Sequence, residues 1–218
     1  MIRCIGVGTI LIAVVASALA ADDAITWKLT RDMIGKLPPG WVAAKTGKGE
    51  GSVWKIVADE TAPSKSGLVL AQAAASPGGL FNLCVRQDDK FADVDLRVAF
   101  KAIKGDSDQG GGFVWRYQDA NNYYVARMNP LEDNYRLYHV VAGKRTQFAG
   151  KEGVKVEAGT WHTLRVTMIG DKIECFLDGK KEVEGSDKTI TKPGNVGLWT
   201  KADAQTYFDG FEVRRLTK

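Results

Sequence analysis

The sequence has few of the residues that build common metal and nucleic-acid sites. Its 218 residues include 2 histidines and 3 cysteines, which argues against a histidine-rich zinc site. Thirty Lys and Arg against 26 Asp and Glu give a formal charge of +4. No basic run accompanies that charge, which argues against a nucleic-acid partner. Mixed charge and a hydrophobic content of 44% are typical of a globular chain, and the length predicts one domain.

Motifs of common enzyme and cofactor sites are also missing. The sequence contains no Gly-x-Ser-x-Gly, no His-Glu-x-x-His and no phosphate-binding glycine loop. Gly110–Gly112 opens a predicted strand, which indicates a tight turn or bulge. Asp106–Gly110 resembles a calcium loop but lacks the third ligand and the distant Glu of an EF-hand. We therefore expect no cofactor, with a loop calcium ion as the alternative.

The N-terminus has the pattern of an export signal. Arg3 precedes an apolar stretch that contains Ile10–Val15, and Ala18–Ala20 gives the small-x-small pattern of a cleavage site. The stretch is shorter than the ~20 residues of a membrane span. We expect a signal peptide over residues 1–20 and a mature domain over 21–218. The location would be secreted or periplasmic without a membrane span after cleavage; the alternative is a retained N-terminal anchor.

Two cysteines follow the predicted signal peptide, and each lies in a predicted strand. Cys84 lies within Leu80–Val85, and Cys175 lies within Ile173–Leu177. An oxidising compartment would permit a disulfide if the two Cα atoms lie within ~7 Å. Two buried free thiols that behave as small apolar side chains are the alternative.

Short apolar or alternating segments recur between turn signals, and helix signals are almost absent. Ile169–Lys172 and Leu177–Lys180 have the chemistry of two-residue hairpins, and Thr30–Gly35 could form one helical turn. About a dozen strands predict an all-β sandwich or barrel. The predicted strands are Val53–Val57, Gly67–Gln72, Leu80–Val85, Ala92–Ala102, Gly112–Tyr117, Tyr123–Asn129, Tyr135–Val141, Arg145–Gly150, Trp161–Ile169, Lys172–Leu177, Asn195–Trp199 and Phe208–Arg214.

Arginine, tyrosine and asparagine concentrate on three consecutive predicted strands. A guanidinium group can hold sugar hydroxyls through two parallel hydrogen bonds, and an aromatic ring can pack against a pyranose. The alternative is an ordinary solvated face with aromatic–arginine pairs. The candidate ligand-binding residues are Arg116, Tyr124, Arg127, Asn129, Tyr138 and Trp115, of which alternation must place some in the core.

Acidic pairs, which glycoside hydrolases use, are the basis for catalytic candidates. Asp93 and Asp95 share one face of a predicted strand, although nearby Arg97 and Lys101 could simply balance their charge. Glu132 and His139 complete the set of candidate catalytic residues. No metal ligands are assigned.

Five segments of the chain carry motifs of a known fold. They are Gly112–Tyr124, which has the form GxxxRYxDxxNYY, and Trp161–Val166, Phe176–Lys180, Gly194–Thr200 and Phe208–Val213. These segments resemble concanavalin A-like, laminin-G-like jelly rolls, and among them the chain is most similar to the 3-keto-disaccharide hydrolase domain, related to glycoside hydrolase family 16-like proteins. The resemblance implies an all-β, two-sheet antiparallel jelly-roll sandwich with a concave sheet that faces sugar, bacterial export and a carbohydrate ligand.

The chain departs from the hydrolase pattern at its acids. Arg116 is retained, but Ala99 stands where those hydrolases carry a Glu, and Tyr123–Ala126 replaces their Tyr-Glu-x-Gln segment. The family-16 Glu-x-Asp-x-x-Glu strand is absent. We therefore expect a carbohydrate-binding module without the usual catalytic acids. A divergent 3-keto-disaccharide hydrolase and a protein-interaction or structural domain are the alternatives, and the sugar and the oligomeric state stay open.

Overall fold

A computed structural model describes residues 24–217, which form strands, turns and one short 3-10 helix at Arg31–Met33. The predicted signal peptide, residues 1–20, lies outside the described residues. The strands are β1 Ile25–Thr26, β2 Trp41–Thr46, β3 Trp54–Ala58, β4 Leu68–Gln72, β5 Phe81–Arg86, β6 Val94–Lys104, β7 Gly111–Asp119, β8 Asn122–Asn129, β9 Asn134–Val141, β10 Lys144–Glu152, β11 His162–Ile169, β12 Lys172–Leu177, β13 Lys180–Ser186, β14 Asn195–Lys201 and β15 Gln205–Arg215.

The strands form two antiparallel sheets. Sheet I has the order β13-β12-β11-β6-β15-β4-β3, with β1 also paired to β15. Sheet II has the order β10-β9-β8-β7-β14-β5-β2. Strands distant in sequence are neighbours in both sheets, as in a jelly roll. The predicted all-β, two-sheet antiparallel sandwich is confirmed. No helix within residues 24–217 is long and apolar enough to cross a membrane.

Alternation along the strands builds the core between the sheets. In β6, Val94, Leu96, Val98 and Phe100 are buried in this core, while Arg97 is exposed on the other face. Successive side chains of a strand point to opposite faces of the sheet. The pattern therefore assigns one apolar face to the core and one polar face to solvent.

Both predicted two-residue hairpins form, and a third tight reversal accompanies them. Ile169 pairs with Lys172 across β11 and β12, and Leu177 pairs with Lys180 across β12 and β13. The third reversal joins β9 to β10 through Ala142 and Gly143, whose φ angles are 49° and 77°. Left-handed φ at both central residues is the geometry of a tight hairpin turn.

Strands β2 and β13 were not among the predicted strands. Both are edge strands, with one partner each in their sheet. Most residues of β13 are polar, and β2 has exposed residues at Val42, Ala43 and Lys45. Neither strand shows regular alternation, because an edge strand is held by the backbone bonds to its single neighbour rather than by one buried face.

Both cysteines are free, buried thiols. Cys84 lies on β5 of sheet II and Cys175 on β12 of sheet I, and no disulfide joins them. Burial raises the pKa of both thiols well above the usual range. Of the two alternatives, a disulfide or two buried free thiols, the structure shows the free thiols.

Sheet II is strongly curved. Arg145 lies on β10 and Phe81 on β5, five strand positions apart, a separation of about 24 Å on a flat sheet at ~4.8 Å per strand. The guanidinium carbon of Arg145 nevertheless lies 5.0 Å from the centre of the Phe81 ring. The outer face of sheet II is therefore concave, and we call it the concave face.

Candidate functional site

A second apolar cluster fills the middle of the concave face. Arg145 reaches across this cluster, with its guanidinium carbon 4.4 Å from the Tyr138 ring and 5.7 Å from the Trp199 ring. The Phe81 and Trp199 rings lie 5.3 Å apart beneath it. The cluster consists of Phe81, Leu83, Val85, Val114, Tyr123, Val125, Tyr138, Val140 and Trp199. The side chains of the sheet itself thus form an aromatic floor covered by one arginine.

Four buried polar atoms of this face have no hydrogen-bond partner. They are Arg127 Nε, Tyr138 Oη, Arg145 Nη1 and Trp199 Nε1, and they are half of the eight such side-chain atoms within residues 24–217. Buried polar atoms are normally hydrogen-bonded, so each exception needs an explanation. The concave face therefore has unused hydrogen-bonding groups next to its aromatic rings.

A charged network borders one end of the aromatic floor. Arg127 is almost fully buried and donates hydrogen bonds to Asp108 at 3.1 Å, Glu132 at 2.7 Å and Asn134 at 2.8 Å. Asn129 is also buried and donates to Asp108 at 3.4 Å. These residues come from β8, β9 and the turns beside them. Arg127 and Asn129 thus lie together on the concave face, as the sequence alternation predicts.

Glu132 carries a permanent negative charge at the exposed edge of this network. Hydrogen bonds from Arg127 are the main cause that lowers its pKa to about 2, with Asn134 and the charge of Arg136 acting in the same direction. Arg136 is partly exposed and bonds to Glu152 at 2.9 Å. The rim of the concave face therefore presents fixed charges of both signs to solvent.

The Asp106–Gly110 loop is closed by protein groups. Asp203 accepts hydrogen bonds from the backbone N–H groups of Asp106, Ser107 and Asp108. The Asp108 carboxylate is buried and accepts from Gly110 N at 2.9 Å as well as from Arg127. Within residues 24–217, no cluster of three or more His, Cys, Asp or Glu side chains is arranged to hold a metal ion.

Arg116 lies apart from the concave face because β7 is irregular at this point. The register of β7 shifts beyond Trp115, and Arg116 has a left-handed φ of 43°, so the bulge turns its side chain away from the alternating pattern. The guanidinium donates to the carbonyl oxygens of Ala92 at 3.0 Å, Ile190 at 2.8 Å and Gly170 at 2.7 Å. The Arg116 guanidinium therefore cross-links three loops, and its N–H groups are used in these bonds rather than free for a ligand.

Trp115 and Tyr124 point into the core between the sheets. Their rings stack at 5.5 Å, and Trp115 Nε1 donates to the sulfur of Met168 at 3.0 Å. The Tyr124 hydroxyl donates to Asp187 Oδ1 at 2.6 Å. Neither ring reaches the concave face, so of the three aromatic candidates only Tyr138 lies there.

The candidate acids do not face one another. Asp95 lies on the outer face of sheet I, where it forms a bidentate pair with Arg165 at 2.7 Å. Asp93 accepts from Gly170 N at 2.7 Å. Packed sheets are about 10 Å apart, so the sandwich separates Asp95 from Glu132. Paired hydrolase carboxylates lie within about 5–9.5 Å, which this arrangement does not provide.

His139 forms a pair with an acid at the edge of the core. Its Nδ1 lies 3.1 Å from Asp187 Oδ2, and its ring stacks on Phe148 at 6.0 Å. The other carboxylate oxygen of Asp187 is the one that accepts from Tyr124. This Tyr–Asp–His arrangement brings together two residues that the sequence assigned to different roles.

Sequence reasoning missed the residues that define the concave face. Phe81 and Trp199 lie on β5 and β14, which are neighbours in sheet II but distant in sequence, and Arg145 lies on β10 at the far edge of that sheet. Pairing of β10 with β9 places Arg145 and Gln147 on the same face as Tyr138, and alternation alone gives that much. The curvature that brings Arg145 over Phe81 has no local signature in the sequence.

The two curved antiparallel sheets define an all-β jelly-roll sandwich. The chain belongs to the 3-keto-alpha-glucoside-1,2-lyase-like domain family, whose model matches residues 29–214. This match confirms the resemblance to the 3-keto-disaccharide hydrolase domain. No curated protein matches the sequence.

Solved structures share the fold. The carbohydrate-binding module CBM66 from Bacillus subtilis aligns with a TM-score of 0.61 and 17% identity, over 79% of this chain and 93% of that chain. A Bacillus licheniformis beta-glucanase gives 0.56 and 14%, over 85% and 96%. Domain 4 of the GH43 arabinanase AbnA from Geobacillus stearothermophilus, in complex with arabinotriose, gives 0.53 and 13%, over 80% and 84%. At these identities the shared property is the fold.

Proposed function

We propose that this protein is an exported carbohydrate-binding module whose ligand lies on the concave face of sheet II. The observation that carries the proposal is the set of four unpartnered buried polar atoms, on Arg127, Tyr138, Arg145 and Trp199, beside the aromatic floor. These rings are buried beneath Arg145, so a sugar would have to displace the Arg145 side chain. It would then offer hydroxyl groups to such atoms and a C–H face to such rings. The carbohydrate ligands of jelly rolls with this fold support the same conclusion.

Arg145 is the residue that we place against the ligand. Its side chain forms no hydrogen bond or ion pair with residues 24–217, although Nη1 is buried. A planar guanidinium can donate to two adjacent hydroxyls of a sugar ring. Burial also lowers the pKa of Arg145, so a ligand oxygen would supply the polar partner that this half-buried group lacks.

The rim of charged residues would set which sugars bind. Arg136 lies beside the ionised Glu132, and Lys201 lies 3.5 Å from Asp108; both cations are partly exposed. A carboxylate accepts hydroxyl donors, and the two cations favour sugar oxygens with partial or full negative charge. We therefore include both neutral and uronic sugars among the ligands to be tested.

The acids of this site suit binding better than hydrolysis. Glu132 is ionised at neutral pH because its pKa is about 2, so it cannot donate a proton to a leaving group there. Asp95 lies on the other sheet and is already paired with Arg165. The proposal therefore assigns no glycosidic cleavage to these carboxylates.

The second candidate function is lyase activity on 3-keto-alpha-glucosides, which the family match favours. Removal of a proton next to a ketone needs a base, and a histidine held by an acid is suited to that role. The His139–Asp187 pair at 3.1 Å is the arrangement that we would assign to it. Loss of turnover in His139→Gln would support this candidate.

The experiment uses purified residues 21–218 on an array of neutral, uronic and 3-keto sugars, with released reducing ends assayed in the same wells. We expect saturable binding without release, and Arg136→Ala should weaken the binding of the selected sugar because it removes an exposed donor from the rim. Arg165→Ala, on the outer face of sheet I, is the matched control. Product release would favour the lyase or hydrolase, and absence of both signals would favour a protein partner.

Export is part of the proposal and has its own test. Expression of the full chain in a Gram-negative host, followed by fractionation, should place the protein in the periplasm. Mass spectrometry should give an N-terminus at Ala21, because Ala18–Ala20 forms the cleavage pattern. A cytoplasmic protein that retains Met1 would contradict this part.

A further inference from the structure

A cavity opens beside β15, away from the concave face. On one side of β15, Phe208 is the last residue paired with β4, and pairing with β1 begins at Glu212. The residues between have no strand partner on that side, and the register with β6 also shifts between Asp209 and Glu212. This gap in sheet I holds a cavity of about 310 Å³, at the lower end of the ~300–1,000 Å³ typical of ligand pockets.

Aromatic rings form much of the cavity wall. Trp41 lies nearly perpendicular to both Trp27 and Phe211, with ring centres 5.3 Å apart in each case. Phe208 also lines the cavity. The guanidinium of Arg86 lies 5.2 Å from the centre of the Trp27 ring. One ring of this wall therefore already engages a cation within the protein.

A buried carboxylate lies in the same wall. Asp209 is 4% exposed, and its oxygens accept hydrogen bonds from Ser64 N at 2.7 Å and Ser64 Oγ at 2.9 Å. Within residues 24–217 it has no ion-pair partner. Other buried carboxylates of this protein do have one, such as Asp108 with Arg127. Burial of a carboxylate without a counter-ion is costly, so a cationic ligand beside Asp209 would offset that cost.

We propose that this cavity binds a small organic ammonium ion with apolar substituents. The electron-rich faces of tryptophan and phenylalanine attract quaternary and alkylated ammonium groups, and the Asp209 carboxylate supplies the opposite charge. Exposed Lys28 also lines the cavity, and its long side chain allows the ammonium group to stay in water. Trp41 and Leu198 of sheet II also line the cavity, and both belong to the core between the sheets. The cavity is therefore on the opposite side of sheet II from the concave face.

Choline and its neutral isostere 3,3-dimethylbutan-1-ol are the probes, because they share shape and differ in charge. Binding to residues 21–218 is measured by calorimetry and by tryptophan fluorescence, to which Trp27 and Trp41 contribute two of the six tryptophans. We expect choline to bind saturably and the neutral alcohol to bind at least about tenfold more weakly. Absence of saturable choline binding, or equal affinity for the two probes, would overturn the proposal.

Variants separate the carboxylate from the rings. Asp209→Asn keeps the shape and removes the charge, so choline affinity should fall about tenfold while the affinity for the neutral alcohol stays unchanged. Asp203→Asn is the matched control, since Asp203 also accepts backbone N–H groups but lies outside the cavity. If Asp209→Asn fails to fold, Trp27→Leu tests the half-buried ring instead. Unchanged choline affinity in the folded variant would contradict the assignment.

Discussion

At the scale of single residues, Arg127 has the largest structural role on the concave face. It neutralises Asp108, which is fully buried, and also bonds to Glu132 and Asn134. Removing one partner of a buried ion pair leaves an uncompensated charge in the interior. The same residue is therefore needed for folding and lies next to the proposed ligand.

Arg127→Met should destabilise the protein by about 3–5 kcal/mol, because Asp108 loses its main counter-charge. Urea unfolding followed by tryptophan fluorescence measures this change. The control is Arg214→Met, which breaks an exposed pair with Glu212 and should cost about 0–1 kcal/mol. Equal stability of the two variants would contradict the role assigned to Arg127.

Glu132 should make stability depend on acid pH. Its pKa is about 2 in the folded protein and 4.5 in the reference state, so folding favours its ionised form. The contribution is fully present above about pH 4.5 and is lost as the pH falls towards about 2. Urea unfolding of the wild type and Glu132→Gln should therefore show a stability difference at pH 7 that narrows below pH 4.5. A difference that stays constant with pH would contradict the pairing with Arg127; the exposed Glu50→Gln serves as control.

At the scale of strands, close approach of β7 and β8 depends on a glycine. A Cβ atom at Gly112 would lie 1.9 Å from the carbonyl oxygen of Ala126, a backbone atom that cannot rotate away. The strand pairing of Gly112 with Arg127 holds these backbones together. This close contact between β7 and β8 helps to hold Arg127 in its place on the concave face.

Gly112→Ala should lower the melting temperature and loosen the Arg127 network, since overpacking typically costs about 1–3 kcal/mol. Differential scanning calorimetry measures the stability. Gly78→Ala is the control, because a Cβ there meets no atom within 4 Å. Equal melting temperatures for the two variants would show that the β7–β8 contact is relaxed in solution.

Local sequence patterns predicted those features that depend on a single strand or turn, namely which side chains face the core and where a hairpin reverses. Alternation in β6 gave its core face, and Asp178–Gly179 gave the turn between β12 and β13. Alternation also placed Arg127 and Asn129 on one face, with Tyr138 on the neighbouring strand. It failed at Arg116, because the register shift in β7 and a left-handed φ redirect that side chain.

At the scale of the whole molecule, the curvature of sheet II determines which side chains meet on the concave face. Arg145 contacts Phe81 and Trp199 only because sheet II bends through five strand positions, and this bend is a collective property of the sheet. The same bend buries polar atoms beside aromatic rings. Neither the aromatic floor nor its arginine cover could be read from one segment of the sequence.

The most direct test of the account is the affinity of Arg145→Ala for the sugar selected on the array, measured by calorimetry. The Arg145 side chain contacts aromatic rings but makes no hydrogen bond or ion pair within residues 24–217, so the variant should fold with an unchanged far-ultraviolet circular dichroism spectrum. The account predicts at least a tenfold loss of affinity, with Arg165→Ala binding as the wild type does. Wild-type affinity in a folded Arg145→Ala protein would contradict carbohydrate binding on the concave face.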